Sequence, residues 1–405
     1  MARVVYMWEL GGGYGHIASF LPVAVELRRR GHEISFVLKD LAHAESLLGG
    51  AGFSYLQAPM RWPGSQKIPP ANSYAEILRN SGFTDKAGLL SRVNAWRALL
   101  EVLAPDLMIF DHAPTALLAS SGSDKPRALF GTGFCSPPRV APMPSIRPWL
   151  RIPEKDLLNS ERQVLHAANE VIGDIGGTKL DKLADLFDTE ENFLCTFEEL
   201  DHYQGRKNPR YWFPILEAAG GVEPIWPEAG EKRIFAYLKP QYPAIETILK
   251  QLGKCACTVL IHIPGAPPAW LRAFNSEHLR IDPRPIDMRQ AVEQCDLAVC
   301  HGGAGTISAM LLGGKPLFML PMHVEQALSA RRVEAMGAGV VIGEEVKMPN
   351  IKAGILEIVS KQQYAESASK FARHYSAFDS ALAVKNIADR LVELLMPRKL
   401  ADRSE

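Results

Sequence analysis

The chain has no surplus of charge of either sign, because its 45 lysine and arginine residues balance its 45 aspartate and glutamate residues. Proteins whose main partner is nucleic acid need a basic surplus to neutralise phosphates, so the composition argues against nucleic acid as a partner. A local basic run such as Arg28-Arg29-Arg30 is typical of the solvated end of a helix.

Long apolar runs and paired cysteines are also missing. No segment approaches the roughly 18 apolar residues of a membrane-spanning helix, so no span is expected. The first residues lack the apolar core and cleavage site of a signal peptide, and a cytoplasmic location is therefore expected. The six cysteines are scattered, and Cys255 and Cys257 form C-x-C rather than the C-x-x-C of zinc or redox sites. We interpret all six as buried thiols.

The sequence does contain a regular alternation of short apolar runs with segments of helical periodicity. Strands that alternate with helices favour parallel sheets wrapped by helices, so we expect doubly wound, Rossmann-like α/β domains. The alternation stops in a Gly- and Pro-rich stretch at 216–232, which divides a domain over 1–215 from one over 233–378. The predicted strands are 3–8, 33–38, 53–57, 106–110, 233–238, 258–263, 278–281, 296–300, 317–321 and 340–342. The predicted helices are 17–30, 41–48, 86–103, 242–252, 267–274, 287–294, 305–312 and 324–336, followed by a helical C-terminal region.

Two stretches, 58–85 and 131–153, are rich in Pro and Gly and show no periodicity. Long irregular loops inside compact domains often bind ligands, and we interpret these two as binding loops. The aromatic residues in these loops suit a flat or apolar small molecule; they are Trp62, Tyr74, Phe134 and Trp149.

The segment with the clearest chemistry follows the predicted strand 296–300 and reads HGGAGT, from His301 to Thr306. Glycines let a backbone approach an anion closely, and the first N–H groups of a helix are unpaired and lie at the positive end of its dipole. Such a turn at the carboxyl end of a parallel strand predicts a diphosphate site. The Thr306 hydroxyl and the His301 imidazole are expected to contribute.

The longer segment 301–339 resembles the nucleotide-sugar signature of the GT-B glycosyltransferases, and most of all their bacterial natural-product (macrolide and UDP-glycosyltransferase-like) branch. The family pattern runs H-G-G-x-G-T, then G-x-P, then P-x-x-x-D-Q, and is matched here at 301–306, at 314–316 and from Pro321 to Gln326. The resemblance implies two Rossmann-like domains that face each other across a cleft. It also implies a C-terminal helix, over 379–405, that packs back toward the N-terminal domain.

The same resemblance assigns roles to individual positions. The donor diphosphate would be held by His301, Gly302, Gly303, Ala304, Gly305 and Thr306. Glu325, where the family usually has Asp, and Gln326 would contact the donor sugar. Ala309 stands where UDP-specific members carry a Glu that binds both ribose hydroxyls, which leaves room for a dTDP-deoxysugar. Lys239 replaces part of a Gly-Ser turn and is a further candidate for a diphosphate contact.

The segment GGGYGH, from Gly11 to His16, allows three interpretations. No Lys-Ser/Thr pair follows, which argues against a P-loop, and His16 replaces the third glycine of a dinucleotide fingerprint. The third interpretation comes from the resemblance, since the family has an acceptor loop here whose histidine acts as general base. An imidazole has a suitable pKa for that role.

A catalytic histidine usually needs a carboxylate that orients it. Asp111 ends a predicted strand and is the favoured partner of His16, whereas Asp106 begins that strand and should lie at the opposite edge. Capping the next helix is the alternative role for Asp111. His112 is expected to point elsewhere.

These features predict an inverting hexosyltransferase that moves a sugar from a UDP- or dTDP-type nucleotide donor to a hydroxyl of a small-molecule acceptor. Gly13, Tyr14 and Phe134 are expected at the acceptor, no metal or other cofactor is expected, and a monomer or homodimer is expected. Two alternatives stay open: an epimerase or hydrolase of the same fold, and a non-catalytic partner protein that binds a nucleotide-sugar.

Overall fold

The computed structural model describes residues 1–61, 68–216, 220–343, 346 and 349–396, which form two compact units. The first unit contains 1–197, 203–215 and the C-terminal residues from Ser380 onward. The second contains 198–202 and 216–379. The short segment 198–202, inside the range expected for the first domain, thus belongs with the second unit.

A six-stranded parallel sheet in the order β3-β2-β1-β4-β5-β6 forms the centre of the first unit. Alternate residues of its first strand enter two separate cores, Val5 and Met7 on one face and Val4, Tyr6 and Trp8 on the other. This is the burial expected when helices cover both faces of a parallel sheet. The strands are β1 (Arg3–Trp8), β2 (Glu33–Leu38), β3 (Ser54–Gln57), β4 (Leu107–Asp111), β5 (Arg127–Gly131) and β6 (Glu191–Leu194), and the helices are α1 (Gly15–Arg29), α2 (Tyr74–Asn80), α3 (Lys86–Leu103), α4 (Pro114–Ala119) and α5 (Glu154–Asp174).

The second unit repeats this arrangement around a parallel sheet in the order β12-β11-β10-β7-β8-β9. Its apolar core is built from the strands and from the inner faces of the flanking helices. The strands are β7 (Arg233–Tyr237), β8 (Thr258–His262), β9 (Leu279–Asp282), β10 (Leu297–Cys300), β11 (Leu317–Met319) and β12 (Gly339–Val341), and the helices are α6 (Ile245–Leu252), α7 (Pro268–Phe274), α8 (Met288–Gln294), α9 (Ala304–Leu312), α10 (Val324–Ala335), α11 (Ile351–Ser360) and α12 (Gln362–His374).

The last helix, α13 (Ser380–Leu395), belongs to the first unit. Three of its four buried residues, Ile387, Ala388 and Leu391, enter the same apolar core as α1. Asp389 lies 2.6 Å from Arg30 at the end of α1. Within the described part of the chain, no helix is both long and apolar enough to cross a membrane.

Several elements differ from the sequence prediction. The predicted helix 41–48 is reduced to a single π-helical turn at Glu45–Gly49. The supposedly irregular stretch 58–85 contains α2, whose N-cap Ser73 accepts a hydrogen bond from the Glu76 N–H. Trp62 lies outside the described residues. The strands β5 and β6 and the long helix α5 were not predicted.

The two irregular stretches are tied to each other inside the first unit. Ser73 forms an isolated bridge with Ser145, and the Ile146 N–H donates to the Asn72 carbonyl at 2.9 Å. The buried Glu161 carboxylate, on α5, accepts from the Met143 N–H at 2.7 Å. The described residues of these stretches around 72–73 and 143–146 are therefore packed parts of the domain rather than separate surface loops.

Each sheet reverses its strand order at one place, between β1 and β4 in the first and between β7 and β10 in the second. In doubly wound folds, ligands bind outside the carboxyl ends of the strands at such a switch point. His16 and Asp111 lie at the first switch point, and Lys239 and His301 lie at the second.

Candidate active site

His16 and Asp111 are in direct contact at the switch point of the first sheet. Asp111 ends β4, beside Trp8 of β1, and His16 lies in the first turn of α1. His16 Nδ1 lies 2.8 Å from Asp111 Oδ2, with the histidine side chain 16% exposed and the carboxylate 3% exposed. A carboxylate accepts only, so Nδ1 carries the proton and donates, and in the neutral ring the lone pair is on Nε2.

Two aromatic residues of β1 hold this pair, and neither was predicted from the sequence. The hydroxyl of Tyr6 lies 2.7 Å from Asp111 Oδ2 and 2.7 Å from the His16 carbonyl oxygen. Trp8 stacks on the His16 ring with centroids 4.9 Å apart, and its indole N–H donates to the Leu10 carbonyl at 2.6 Å. The available signal was their position, since alternate residues of a strand that ends at the site share the face that His16 covers.

His112 points toward His16, although the sequence predicted that it would point elsewhere. It has a positive φ of 49°, and its carbonyl accepts from the Leu10 N–H at 2.9 Å. A side-chain carbon placed on Gly11 would lie 2.9 Å from His16 Nε2 and 3.1 Å from His112 Nδ1. The two imidazoles therefore converge on one point beside Gly11.

The residues expected at the acceptor have different environments. Gly13, with φ 90°, and Tyr14, which is 40% exposed, lie at the start of α1. Phe134 is only 4% exposed and contacts the His112 ring edge-on, so it supports this ring instead of presenting a surface. Tyr74 is buried against the same ring.

Two side chains from the segment 203–206 fix the backbone around Phe134. The Tyr203 hydroxyl donates to the Phe134 carbonyl at 2.9 Å. The Arg206 guanidinium donates to the carbonyls of Ser136 and Gly133 at 2.8 and 2.9 Å. A backbone with three anchored carbonyls presents its side chains in one fixed geometry.

A buried carboxylate, that of Glu9, directly follows β1. Glu9 is 4% exposed and accepts hydrogen bonds from the N–H and the hydroxyl of Thr115, in the first turn of α4. Burial nevertheless raises the pKa of Glu9 to about 7, because desolvation outweighs these hydrogen bonds and the charge of Arg92.

In the second unit, both ring nitrogens of His301 are engaged by the backbone. Nδ1 lies 2.7 Å from the Leu320 carbonyl, and Nε2 lies 2.9 Å from the Lys239 N–H. Nδ1 is therefore the protonated nitrogen, and Nε2 accepts. Burial lowers the pKa of His301 to about 4, and Tyr242 stacks on the ring. His301 thus joins the ends of β7, β10 and β11, and in this conformation neither ring nitrogen is left to donate to a diphosphate, in contrast to the expectation from the sequence.

The N-terminus of α9 fits the expected anion site better. Its N-cap is Gly303, and no side chain caps the first turn. A side-chain carbon on Gly303 or on Gly305 would meet nothing within 4 Å, so protein packing does not require glycine at either position. Gly302 differs, because its φ is 84° and a side-chain carbon would lie 2.8 Å from the Gln326 carbonyl oxygen. The glycines at 303 and 305 leave open space above unpaired N–H groups.

The residues expected at the donor sugar lie in the first turn of α10. Glu325 is half-buried, and Gln326 is 7% exposed. Gln326 Oε1 accepts from the Met322 N–H at 2.8 Å, so its carbonyl holds the turn before α10. Lys239 is exposed, and its backbone rather than its ammonium group contacts His301. Among the described residues, no group of three or more His, Cys, Asp or Glu is placed to hold a metal ion.

The chain is similar in sequence to a known protein family and to curated proteins. Residues 246–394 match the family described as "Erythromycin biosynthesis protein CIII-like, C-terminal domain". A PGL/p-HBAD biosynthesis rhamnosyltransferase of Mycobacterium bovis (strain BCG / Pasteur 1173P2) is 23% identical over 334 residues, or 78% of this chain and 73% of the relative.

Two solved structures resemble the chain over almost its whole length. The glycotransferase of kitacinnamycin matches with a TM-score of 0.70 at 20% identity, over 98% of this chain and 99% of that one. The glycosyltransferase VinC in complex with DTDP matches with a TM-score of 0.68 at 14% identity, over 97% of this chain and 99% of that one. The predicted fold of two parallel-sheet α/β domains, GT-B, is confirmed.

Proposed function

We propose that this chain, a glycosyltransferase of the natural-product GT-B type, inverts the anomeric centre of a nucleotide-diphosphate sugar as it transfers that sugar to a hydroxyl of a small molecule. The observation that carries this proposal is the 2.8 Å contact between His16 Nδ1 and Asp111 Oδ2 at a switch point of the first sheet. It gives the chain an oriented base where doubly wound folds bind ligands.

The pair acts on the acceptor. An alcohol is a weak nucleophile at neutral pH, and a positioned base accelerates such a step by roughly 10²–10⁴-fold. His16 Nε2 takes the hydroxyl proton, and Asp111 stabilises the imidazolium that forms. The hydroxyl oxygen then bonds to the anomeric carbon from the face opposite the nucleotide. The bond from that carbon to the diphosphate breaks, and its electron pair leaves with the diphosphate.

The N-terminus of α9 acts on the leaving group. As the transition state becomes oxocarbenium-like, negative charge grows on the diphosphate. The N–H groups of the first turn, together with the Thr306 hydroxyl, donate to this charge and stabilise it electrostatically. Lys239 adds a positive charge from the neighbouring strand end. His301 fixes the start of this turn through its hydrogen bonds to the Lys239 N–H and the Leu320 carbonyl.

The donor we propose is a dTDP-linked sugar, held through its hydroxyls by Glu325 and Gln326. Ala309 lies one turn beyond Gly305 on the same side of α9 and offers no acceptor for the two hydroxyls of a UDP ribose. A deoxyribose has one hydroxyl fewer to satisfy. The similar VinC structure holds DTDP, and a curated relative is named a rhamnosyltransferase, which agrees with a deoxysugar donor.

The test is a matrix of dTDP- and UDP-linked sugars with 7-hydroxycoumarin as a probe acceptor, read by mass spectrometry and by nucleotide release. We expect a glycoside of inverted anomeric configuration, assigned by NMR coupling constants. His16→Ala should lower transfer by at least about 10²-fold. The matched control is His166→Ala, because His166 is an exposed histidine of α5 far along the chain from the site.

The other outcomes separate the alternatives. Retention of configuration, or undiminished transfer by His16→Ala, would contradict the proposed mechanism. Consumption of the donor with no acceptor present would instead indicate a hydrolase or epimerase. Binding of dTDP with no turnover of any sugar would indicate a non-catalytic partner protein.

A further inference from the structure

His112 has a backbone conformation that few residues other than glycine adopt. Its φ of 49° lies in the left-handed region, which is uncommon for a residue with a side chain. Such conformations persist only where the surroundings enforce them, and they cluster at functional sites. Here the Leu10 N–H donates to the His112 carbonyl and ties the end of β4 to the Gly11 loop.

This conformation turns the His112 ring toward His16. A side-chain carbon on Gly11 would lie 2.9 Å from His16 Nε2 and 3.1 Å from His112 Nδ1, so these two nitrogens are no more than about 6 Å apart. The ring centroids are 6.4 Å apart, too far for a direct hydrogen bond but close enough for a single oxygen atom to bridge the two nitrogens. Any side chain at position 11 would crowd both imidazoles, so glycine allows them to lie against the loop backbone.

The surroundings of His112 determine which nitrogen carries its proton. Burial lowers the pKa of His112 well below its usual range, and the charges of His16 and Lys39 lower it further, so the ring is neutral. Nε2 is buried and has no hydrogen-bond partner within the described chain. Orphaned buried N–H donors are rarer than under-satisfied acceptors, so the proton is expected on Nδ1, which faces His16. The rings of Tyr74 and Phe134 pack against the His112 ring and hold it in that orientation.

We propose that His112 is a second acceptor-binding imidazole, whose Nδ1–H donates a hydrogen bond to the same acceptor hydroxyl oxygen that His16 deprotonates. This inference rests on the proposed function and adds a positioning contact to it. The hydroxyl oxygen has two lone pairs. One accepts from His112, the hydroxyl proton goes to His16 Nε2, and the second lone pair forms the bond to the anomeric carbon. The donor loses its diphosphate with the electron pair, so no further reactant is needed.

The contact defines the direction of attack. A hydroxyl that only donated to His16 could rotate about the axis of that hydrogen bond and aim either lone pair at the donor. A second hydrogen bond, from the opposite side, removes that freedom. The donor at Nδ1 also stabilises negative charge that develops on the oxygen as it loses its proton.

The test compares His112→Phe with His112→Asn, using 7-hydroxycoumarin and the best donor from the matrix above. Phe keeps a ring but no donor, whereas the Asn amide places an N–H near the position of Nδ1 and tolerates a positive φ. We expect His112→Phe to lower kcat/KM for the acceptor by roughly 10–100-fold, the loss of one hydrogen bond to an oxygen that becomes negatively charged in the transition state. His112→Asn should recover to within about fivefold of the parent, since about one hydrogen bond is restored. The affinity for dTDP, measured by calorimetry, should be equal in all three proteins.

The results separate this inference from the proposed function. An inactive His16→Ala together with an unchanged His112→Phe would reject the role of His112 alone. Full activity of His16→Ala would reject both. Equal losses in His112→Phe and His112→Asn would also overturn the inference, because they would indicate a role in packing.

A second measurement needs no acceptor and no active variant. Long-range ¹H–¹⁵N spectra of histidine side chains distinguish the two neutral tautomers, and His112→Asn assigns the signal. We expect the Nδ1–H tautomer for His112 at neutral pH. An Nε2–H tautomer would leave Nδ1 without a proton to donate and would overturn the proposal.

Discussion

The hydroxyl of Tyr6 lies 2.7 Å from the Asp111 oxygen that also accepts from His16. It restrains the carboxylate from the buried side, so Asp111 meets the imidazole in one orientation. Tyr6→Phe removes the hydroxyl and leaves the ring that stacks on Phe20 in place. We expect kcat to fall about five- to tenfold, which corresponds to one hydrogen bond of roughly 1 kcal/mol. Steady-state kinetics would measure this, and an unchanged kcat would show that Asp111 needs no second anchor.

The two aspartates at opposite ends of β4 should respond very differently to the same substitution. An Asn at 111 can donate to His16 Nδ1, which favours the tautomer with a proton on Nε2 and removes the base. We expect Asp111→Asn to lower kcat by at least about 10²-fold, the smallest rate contribution of a positioned base. Asp106→Asn is the matched control, because Asp106 only accepts from the Arg3 N–H at the far edge. Similar activity in the two variants would argue against the pair.

Two glycines of the donor turn should separate binding from folding. Gly305→Ala puts a methyl group into open space at the N-terminus of α9, so we expect weaker dTDP binding and a free energy of unfolding that rises by up to about 1 kcal/mol. Gly302→Ala meets the Gln326 carbonyl at a positive φ, so we expect it to destabilise the protein by about 2 kcal/mol. Calorimetric titration with dTDP and urea unfolding measure the two effects. Unchanged dTDP affinity in Gly305→Ala would place the diphosphate elsewhere.

The choice of nucleotide should depend on position 309. Ala309→Glu places a carboxylate one turn beyond Gly305, where it can accept from both ribose hydroxyls of UDP but from only one hydroxyl of dTDP. We expect the ratio of UDP to dTDP affinity to rise by about tenfold, since one further charged hydrogen bond contributes about 1.5 kcal/mol. Ala309→Met, of similar length without an acceptor, is the control. Equal ratios in the two variants would show that the ribose does not reach this turn.

Glu9 should make the stability of the first unit depend on pH. Its pKa is about 7 in the folded protein and 4.5 for an unperturbed side chain, so the folded state binds this proton more tightly than the unfolded chain does. The contribution is therefore fully present below about pH 4.5 and is lost as the pH rises to about 7. Between pH 5 and pH 8, we expect the free energy of unfolding of the parent to fall by about 2 kcal/mol relative to Glu9→Gln. Urea unfolding at both pH values measures this difference, and parallel pH profiles would show that Glu9 titrates normally.

The fold could be predicted where the local pattern was strong. β1, β2 and α3 were predicted with their observed bounds. A short apolar run indicates a buried strand, and apolar residues at helical spacing indicate an amphipathic helix, without information from the rest of the chain. The helix α2 was missed because it follows a stretch that reads as loop, and its N-cap becomes informative only when Ser73 is seen to accept from Glu76. The edge strand β6 is short and only partly buried, so its pairing with β5 is a tertiary effect that no local window contains.

The site could be predicted where its residues form a motif that indicates a particular chemistry. The HGGAGT turn led to the glycosyltransferase class, to which the similar curated and solved proteins belong by name, and His16 and Asp111 do meet. The predicted side-chain directions of His112 and His301 differ from those in the structure. His112 follows Asp111 in the chain and would normally point the other way, but its positive φ reverses this. His301 begins the HGGAGT motif, so its imidazole was expected to contact the diphosphate. In the structure, the Lys239 N–H and the Leu320 carbonyl are hydrogen-bonded to its two ring nitrogens.

The assignment of α13 to the first unit has a consequence for how this chain is made and how it can be cut. A ribosome completes 216–379, nearly all of the second unit, before the helix that fills the α1 face of the first unit emerges. The core of the first unit therefore lacks Ile387, Ala388 and Leu391 until the second unit has been translated. For the same reason, a chimera that joins this N-terminal half to the second domain of a relative exchanges a piece of the first core as well. The family match over 246–394 spans that junction, so a workable graft takes 198–202 together with 216–379 and keeps the native helix.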